Sequence, residues 1–439
     1  MHATIDRYRA LVEADPRGLG ARLVSALSEA GLATEPHPRC RHLTPLFLPA
    51  DQYEEVCRAS GEVWRALRQV ADAVASSLPR QSTFRIHPRF VAALYLEKER
   101  EQPRYGRMDG LLDGHGVFRC IEYNPLPGAM WEVEAILRSF FQLPPVLAFS
   151  AEFNKVSLVE QLLHHLKKSD FEPGLIGVVT QDSARYPRDL DSIGAFLAAA
   201  GLSVICGRVA DFERRDGRLW LGERPLTWLH ADDWSFAYGL NVVHPIAQAL
   251  QAGEVRYLNG CADSAFLAQK SLFAGISDPT LLPELQEALA EARRYVPWTR
   301  LLRPGPTQKD GLTVDLLDYA RAHREQLVLK PSMGWGGDGV HLGWRTSPED
   351  WQVALQTTLR VGGVLQERIH PPEVELIDLE GKQERRTHDL CPFVWAGGHV
   401  AGMMARTESQ GGLHTVSLGG SCLPVIPVGP LPPGRVAPT

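Results

Sequence analysis

The chain lacks the cysteine patterns that mark disulfide frameworks and zinc sites. Its seven cysteines are scattered singly, and no two of them form a C-x-x-C pair. An odd and unpatterned set of this kind is typical of reduced thiols in a cytoplasmic protein. We therefore expect neither a disulfide-stabilised fold nor a zinc centre, and we interpret a single cysteine such as Cys120 as a packing residue.

Long apolar runs and an excess of basic charge are also missing. Residues 1–18 contain acidic side chains and no apolar stretch of signal-peptide length, and no later segment approaches the roughly 18 apolar residues of a membrane span. The formal charge of −6 and the pI near 6.2 provide no concentrated basic face for nucleic acid or an anionic membrane. We expect a cytoplasmic protein with neither partner.

What the chain does contain is enough apolar sequence for several domains. It has 439 residues, of which 44% are hydrophobic and 22% charged. Apolar residues at helical spacing dominate the first ~80 positions, and residues 284–296 also predict a helix. Another helix is predicted to begin with Ser347 as its N-cap and Pro348 at its first position. Residues 157–207 alternate helix and short apolar strand, which predicts a small α/β unit with parallel strands. The tail from 424 is too proline-rich to predict a regular element.

A glycine-rich stretch at 328–340 reads VLKPSMGWGGDGV. It fits G-x-G-x-x-G at Gly334, Gly336 and Gly339, but a strand-like segment follows where a dinucleotide site needs a helix. A Walker loop would need Lys-Ser/Thr after its last glycine, and Val340 stands there instead. The remaining reading is a strand-to-strand hairpin whose backbone amides and Lys330 can approach phosphate oxygens. A tight surface hairpin with an incidental lysine is the alternative.

A second hairpin is predicted at 104–127, where two apolar runs flank the turn Asp113–Gly116. Alternation places Glu122 and Asn124 on one face, and folding back about the turn puts Arg107 opposite Glu122, with Asp109 on the same face. Carboxylate and amide oxygens suit magnesium, and the arginine would neutralise the clustered acids. A solvated hairpin face is the alternative interpretation.

Taken together, these motifs resemble the circularly permuted ATP-grasp family that includes the ligase half of glutathionylspermidine synthetase. Their order is more specific than any single one, because the metal-binding E-x-N precedes the glycine turn here and comes last in ordinary ATP-grasp proteins. The resemblance covers roughly residues 85–425. The matching segments are RMD at 107–109, IEYN at 121–124, AQKSLFAGISD at 268–278, YVPWTR at 295–300, VLKPSMGWGGDGV at 328–340, VLQERI at 364–369 and VWAGGHVAGMMART at 394–407.

The resemblance implies a fold and a domain order. The fold class is α/β (α+β), a permuted ATP-grasp fold with a Rossmann-like substrate-binding domain. The expected segments are 1–150, with N-terminal helices and the metal-binding hairpin; 151–262, the substrate domain; 263–425, with the lysines, glycine-rich lid and adenine hinge; and 426–439, the proline-rich tail. The amidase domain of the related synthetase has no counterpart in this length.

The same resemblance implies roles for individual residues. The ATP-binding set would be the lysines Lys270 and Lys330, the glycines Gly334, Gly336, Gly337 and Gly339, and the hinge residues Gln366, Glu367 and Ile369. The magnesium ligands would be Asp109, Glu122 and Asn124, and the groups that contact the transferred phosphoryl group would be Arg107 and Arg406. Trp335 and Asp338 receive no role.

Several of these residues have structural alternatives. Lys270 begins an apolar helix and could extend its ammonium group to solvent. Gln366 and Glu367 could form an exposed strand end. Arg406 could instead form a structural ion pair with Glu408 or Asp389. The dipeptide His388-Asp389 could suggest acid–base chemistry, although such a pair is usually structural.

The implied activity is that of an ATP-dependent carboxylate–amine ligase. ATP and Mg²⁺ would activate a carboxylate as an acyl phosphate, and an amine would then attack to give an amide or peptide bond, ADP and phosphate. The partners would be small amino-acid- or peptide-like substrates, and the chain would be a monomer or homodimer. The alternatives are a phosphotransferase on the same fold and a nucleotide-binding scaffold without catalysis. The segment after Asn124 differs from that of the related synthetase, so its substrates are not transferred.

Overall fold

The structure is a computed structural model, and it describes residues 2–33, 38–93, 104–125, 130–180, 189–231, 244–260, 266–334, 336–408, 412–414, 416 and 419–432. Within these residues the helices, numbered in chain order, are α1 (His2–Ala14), α2 (Pro16–Glu29), α3 (Ala50–Ala75), α4 (Leu78–Thr83), α5 (Pro88–Ala93), α6 (Met130–Phe140), α7 (Pro144–Leu147), α8 (Leu158–Lys168), α9 (Asp189–Ala199), α10 (Pro245–Ala252), α11 (Ser271–Ser277), α12 (Ala290–Arg293), α13 (Leu316–Ala322) and α14 (Pro348–Val361). Among these helices, none is both long enough and apolar enough to cross a membrane.

Within the same described residues the strands form five sheets. In chain order they are β1 (Leu46–Pro49), β2 (Tyr105–Leu112), β3 (Phe118–Asn124), β4 (Ile176–Thr180), β5 (Val204–Arg208), β6 (Phe212–Arg215), β7 (Arg218–Leu221), β8 (Arg224–Pro225), β9 (Trp228–Ala231), β10 (Arg256–Tyr257), β11 (Thr299–Leu301), β12 (Pro306–Lys309), β13 (Leu312–Asp315), β14 (Leu327–Pro331), β15 (His341–Leu342), β16 (Gly363–Glu367), β17 (Glu373–Ile377), β18 (Gln383–Trp395), β19 (His399–Thr407) and β20 (Cys422–Val428).

The largest sheet has seven strands in the order β1-β20-β19-β18-β2-β3, with β17 paired to β18. All its pairings are antiparallel except that of β1 with β20. Helix α3 packs on this sheet because its apolar residues recur at three and four, and Val56, Val63 and Leu67 are fully buried. Strands from both ends of the chain therefore share one core.

A second sheet is parallel and has the order β10-β9-β4-β5. Helices α8 and α9 and strands β4 and β5 lie where the sequence predicted them, and the parallel α/β unit is confirmed. Buried valine and isoleucine side chains of β4 explain why it occupies a central position. The Rossmann-like character of this unit and the expected domain limits stay predictions.

A third sheet, in the order β11-β16-β14-β15, is antiparallel. Its core packs Leu329 and Leu365 against Trp351 and Leu355 of α14. The predicted start of this helix is confirmed: Ser347 is the N-cap, and its hydroxyl accepts a hydrogen bond from the amide of Asp350. Strands β14 and β15 flank the glycines, so the strand-to-strand arrangement is confirmed.

Two expectations were wrong. Residues 284–296 do not form one helix, because a 3₁₀ turn at Pro283–Leu285 is separated from the short helix α12. The proline-rich tail does pack in part, since β20 lies inside the large sheet with all seven side chains buried. Burial of these side chains outweighs the two N–H donors that Pro424 and Pro427 lack. Residues 433–439 lie outside the described part of the chain.

Candidate functional site

A cleft of about 270 Å³ lies between the large sheet and the third sheet. Both sheets contribute to its lining, as does segment 412–414. The predicted site residues that line it are Arg107, Asp109, Glu122, Asn124, Lys270, Lys330, Gly334, Gly336, Gly337, Gln366, Glu367, Ile369 and Arg406. Gly339 is the one predicted site residue outside the lining. Its backbone is in the left-handed region, and a Cβ there would face Pro331.

The hairpin β2–β3 places the two acids directly opposite each other. Asp109 pairs with Glu122 and Arg107 with Asn124, so the expected pairing of Arg107 with Glu122 was wrong by two residues. The turn closes between Asp113 and Val117, one residue wider than predicted, and a bulge after Asp109 adds a second shift. Each one-residue shift in pairing moves side chains to the opposite face of the hairpin, and two shifts return them to the original face. All four side chains therefore still line the cleft.

Asp109 is the acceptor on which the charged groups of this face converge. Arg107 Nε and Nη2 donate to its two oxygens at 2.6 and 2.9 Å, and Arg406 Nη2 donates to Oδ2 at 2.8 Å. Asn124 Nδ2 donates to Oδ2 at 3.1 Å. Burial alone would raise the pKa of Asp109, but the two guanidinium groups hold that pKa well below its usual range. The carboxylate is therefore ionised.

Arg406 also pairs with Asp389, and this answers one open alternative. Its Nη2 lies 2.5 Å from Asp389 Oδ2, and its backbone N–H donates to Oδ1 at 2.8 Å. Glu408 binds Arg345 Nη2 and the Thr387 hydroxyl instead. Asp389 was one of the two ion-pair partners considered for Arg406, and the register of β18 and β19 places it opposite Arg406 after a one-residue shift between Pro392 and Val394.

The two lysines point into the same cleft from different elements. Lys270, which precedes α11, donates to Glu122 Oε1 at 2.8 Å and to the carbonyl of Gly334 at 2.8 Å. Its side chain is only 5% exposed, so it does not extend to solvent. Lys330 on β14 donates to Gln366 Oε1 at 2.7 Å and to the carbonyl of Ile121 at 3.3 Å. Burial lowers the pKa of Lys330 to about 8.

Strand β16 forms the wall opposite the acids. Gln366 is buried, and its amide donates to Thr299 Oγ1 while its oxygen receives the Lys330 bond, so it is not an exposed strand end. Glu367 is half-buried and binds Lys309 Nζ at 2.9 Å. No sequence pattern pointed to Lys309, which contacts Glu367 from the separate hairpin β12–β13. The apolar residues at this end of the cleft are Val328, Val340, Leu342 and Ile369.

The glycine turn requires its glycines for two reasons. Gly336 and Gly337 have φ values of 63° and 85°, where side chains are strained. A Cβ on Gly337 would also lie 2.6 Å from Leu413 Cδ1, so the turn closes tightly against segment 412–414. Asp338 lines the cleft beside them. Trp335 lies outside the described residues.

The residues present fit a magnesium nucleotide. Magnesium keeps several waters and typically takes one or two protein carboxylates besides the phosphates of its nucleotide. Asp109, Glu122 and Asn124 offer that set. Within the described residues no group of three or more His, Cys, Asp or Glu could hold a metal. The two buried ammonium groups face the same space, and charge of this kind needs an anion or an acid beside it.

Two residues considered earlier stand outside the chemistry. His388 does not line the cleft; it is buried, and burial lowers its pKa to about 4, so its ring is neutral at pH 7. Cys120 is also fully buried in the core, and burial raises the pKa of its thiol. Acid–base work by His388-Asp389 is therefore not favoured, and the packing interpretation of Cys120 agrees with its position.

Comparison with solved structures shows the fold. A glutathione synthetase-like effector from Globodera pallida aligns over 94% of this chain and 97% of its own, at 12% identity and a TM-score of 0.60. The chain has a glutathione synthetase-like fold. The expected mixed α/β fold class is confirmed. Comparisons with protein-family models and with curated proteins gave no match.

Two further structures show weaker likenesses. One is a protein assigned as a γ-glutamylcysteine synthetase from Methylobacillus flagellatus, with 12% identity over 82% of this chain and 87% of its own and a TM-score of 0.44. The other is D-alanyl-alanine synthetase A from Vibrio cholerae, with 11% identity over 61% of this chain and 92% of its own and a TM-score of 0.27. Because both TM-scores fall below 0.5, we draw no conclusion from them.

Proposed function

We propose that the chain is an ATP-dependent carboxylate–amine ligase that forms an amide or peptide bond and releases ADP and phosphate. One observation carries the proposal: two buried lysines, two opposed carboxylates and two arginines meet in a single cleft of a synthetase-like fold. A protein that only binds a nucleotide has little need for the arginine–carboxylate cluster as well. In this proposal the fold is circularly permuted, because Glu122 and Asn124 precede the glycine turn along the chain.

In this proposal Lys270, Lys330 and the backbone amides of the glycine turn bind the phosphates. Both lysine ammonium groups are buried, so their charge is little screened there. Lys270 would exchange its bond to Glu122 for a phosphate oxygen, which frees that carboxylate for the metal. Gln366 and the backbone as far as Ile369 would position the adenine against the apolar wall.

Arg107 and Arg406 would stabilise the negative charge that develops on the transferred phosphoryl group. Their partners hold the two guanidinium groups in place beforehand, because Asp109 bridges them and Asp389 fixes Arg406. Magnesium-bound ATP, when held by these residues, would supply the phosphoryl group that activates the substrate carboxylate. The glycine turn, closed against Leu413, would exclude water from the acyl phosphate until the amine attacks.

The test is release of ADP with pools of carboxylates and amines, followed by mass spectrometry of the product. We expect ADP release that needs both a carboxylate and an amine. Release with the carboxylate or an alcohol alone would indicate a phosphotransferase, and no release with any pair would leave a non-catalytic protein. Both results contradict the ligase proposal.

Variants at Glu122 make the test specific to the cleft. Glu122→Gln removes a proposed metal ligand and keeps the side-chain size, so turnover should fall by roughly 100-fold or more. The control is Glu172→Gln, since Glu172 is exposed and remote from the cleft. Glu122→Gln should also unfold at a lower temperature than the control, because it leaves buried Lys270 without its carboxylate partner, so turnover is compared at a temperature at which both variants are folded. Full activity in Glu122→Gln would refute the metal role.

A further inference from the structure

A second cavity, of about 290 Å³, lies on the opposite face of the large sheet. Strand alternation separates the two, because Thr387 and Asp389 of β18 line the cleft while Glu384 and Arg386 line this cavity. The two cavities share Glu408. The other lining residues are Pro38, Arg41, His42, Asp378, Leu379, Glu380, Thr407, Gly419 and Ser421.

Arg41 lines this second cavity, and its guanidinium group is not fully hydrogen-bonded within the described residues. Its backbone is held firmly, since its N–H donates to Ser421 Oγ at 2.9 Å and its carbonyl accepts from Leu379. Its guanidinium group has no ion pair among the described residues, and its buried Nε has no hydrogen-bond partner there. Burial and the neighbouring charge of Arg386 lower the pKa of Arg41, and the charge of Glu384 opposes this shift. A half-buried guanidinium with no carboxylate bonded to it is available to bind an anionic group.

Arg386 stands beside Arg41 on the rim of the cavity. It is exposed and donates to Glu384 Oε2 at 2.9 Å, while His42 Nε2 lies 2.5 Å from the other oxygen of that carboxylate. The buried Nδ1 of His42 has no partner in the described part of the chain. Two guanidinium groups on one wall fit a carboxylate, which accepts paired N–H donors well.

Acidic side chains also line the cavity, and they limit the charge that a ligand can carry. Asp378, Glu380, Glu384 and Glu408 give four carboxylates against the two arginines. A dianion such as phosphate would meet repulsion from these groups, whereas an ammonium group beside the carboxylate would be attracted to them. The charge distribution therefore favours a zwitterion over a simple anion.

We propose that this cavity binds an amino acid, or the zwitterionic end of one, with its carboxylate on Arg41 and Arg386 and its ammonium group toward the acidic wall. The inference does not depend on the proposed ligase reaction, because binding requires neither nucleotide nor turnover. Glu408 lines both cavities, and its carboxylate binds Arg345 and the Thr387 hydroxyl. A ligand that contacts Glu408 would therefore act on side chains of the cleft through this carboxylate.

The experiment is isothermal titration calorimetry of the full chain with glycine, L-alanine, L-glutamate and L-lysine, up to about 10 mM. For each amino acid that binds, its methyl ester removes the carboxylate and its N-acetyl form removes the ammonium charge. Inorganic phosphate is titrated as the competing anion. We expect at least one amino acid to bind, and both blocked forms to bind about tenfold or more weakly.

Three variants locate the site. Arg41→Gln should weaken binding about tenfold or more without lowering the unfolding temperature, because Arg41 has no ion pair to lose. Arg360→Gln, an exposed arginine of α14, is the matched control and should bind like the parent chain. Glu122→Gln in the cleft should also leave amino-acid affinity unchanged, which separates this site from the proposed active site.

Each contrary result overturns the proposal. No heat with any of the four amino acids would mean that the cavity is not an amino-acid site. Undiminished binding in Arg41→Gln would place the ligand elsewhere, as would a loss in Glu122→Gln. Phosphate that binds more tightly than every amino acid would make the cavity a general anion site.

Discussion

At the scale of single residues, Asp109 balances the charges of the cleft. It is buried, and it is the common acceptor of Arg107, Arg406 and Asn124. Removing the charge of one member of a buried ion cluster leaves the others uncompensated, which costs more than the pair itself contributes. Stability and the proposed metal site therefore depend on the same carboxylate.

Asp109→Asn should consequently affect stability as well as activity. We expect the free energy of unfolding to fall by roughly 3 kcal/mol, because Arg107 and Arg406 would then face each other with one anion fewer. Denaturant unfolding measures this change. Asp72→Asn, at an exposed position of α3, is the control and should be nearly neutral. An unfolding free energy for Asp109→Asn that equals the control would contradict the cluster.

Lys330 gives the site a dependence on pH. Its pKa of about 8 lies below the ordinary value, so the free protein carries this charge below pH 8 and loses it above. If Lys330 binds phosphate, the Kd of a non-hydrolysable ATP analogue should be constant below pH 8 and rise by up to about tenfold per pH unit above it. Lys330→Arg, charged throughout, should remove that slope. A parent chain whose Kd stays level from pH 7 to 9.5 would contradict the role.

Sequence patterns selected residues that the structure brings together in one cleft, because the types of these residues are restricted. A lysine before clustered glycines and two carboxylates at strand spacing are uncommon combinations. The resemblance to a known family then suggested how these motifs belong together. Lys309 and Arg41 carry no such pattern. Their positions beside Glu367 and in the second cavity follow only from contacts between segments that are distant in sequence.

At the scale of elements, the glycine turn has a left-handed backbone conformation and also packs closely against segment 412–414. Gly337 has both features: a φ of 85° and a Cβ position 2.6 Å from Leu413. Gly311, at the turn between β12 and β13, has a φ of 80° and open space around its Cβ position. The two positions therefore separate backbone strain from loss of the contact.

Gly337→Ala should weaken nucleotide binding more than Gly311→Ala does. Both substitutions carry the strain of a left-handed backbone, of roughly 1 kcal/mol, but the first also displaces the turn from segment 412–414. We expect about a tenfold rise in the Kd of the ATP analogue for Gly337→Ala and little change for Gly311→Ala. Fluorescence titration measures both. Equal Kd values would show that closure against Leu413 has no part in binding.

Elements with a strong local signal were predictable, and their pairing was less so. Helix α14 has a serine cap, a proline at its first position and apolar spacing, so its start was predicted to the residue. The β2–β3 register was missed, because neither the wider turn nor the bulge leaves a sequence signal. Strand β20 was missed because proline content is a local property, whereas its burial depends on β1 and β19.

At the scale of the whole molecule, Asn259 joins the end of the parallel sheet to the hairpin β2–β3. Its side-chain oxygen accepts from the amides of Arg104 and Tyr105, and its Nδ2 donates to the carbonyls of Tyr105 and Pro125. These backbone groups lie at the two ends of the hairpin, next to Arg107 and Asn124. One fully buried amide thus sets where the central α/β unit meets the cleft.

Replacing Asn259 tests this junction. Asn259→Ala leaves several buried backbone groups without partners, so the free energy of unfolding should fall by roughly 3 kcal/mol. We also expect a higher magnesium concentration for half-maximal activity, because the hairpin ends would loosen. Asn154→Ala is the control: Asn154 Nδ2 also bridges two carbonyls, those of Pro427 and Gly429, but away from the cleft. A magnesium requirement that shifts equally in both variants would make the effect one of stability alone.

The mixed α/β fold class was predictable, because helical spacing and short apolar strands with turn signals alternate along much of the chain. The identity of the substrates was not, since the central unit carries no motif that specifies a ligand. The second cavity was equally invisible: its walls come from segments near 40, 380 and 420, and none of them is notable alone.

The contact between Asp109 and Arg406 joins residues 297 positions apart. Closing a loop of that length must precede the contact, and folds rich in such distant pairings form slowly. Strands β18 and β19 must therefore reach β2 before the cleft exists, and a nascent chain has no site until nearly all of it has been synthesised. Competence to bind nucleotide should appear at the end of refolding, after the helical signal has recovered.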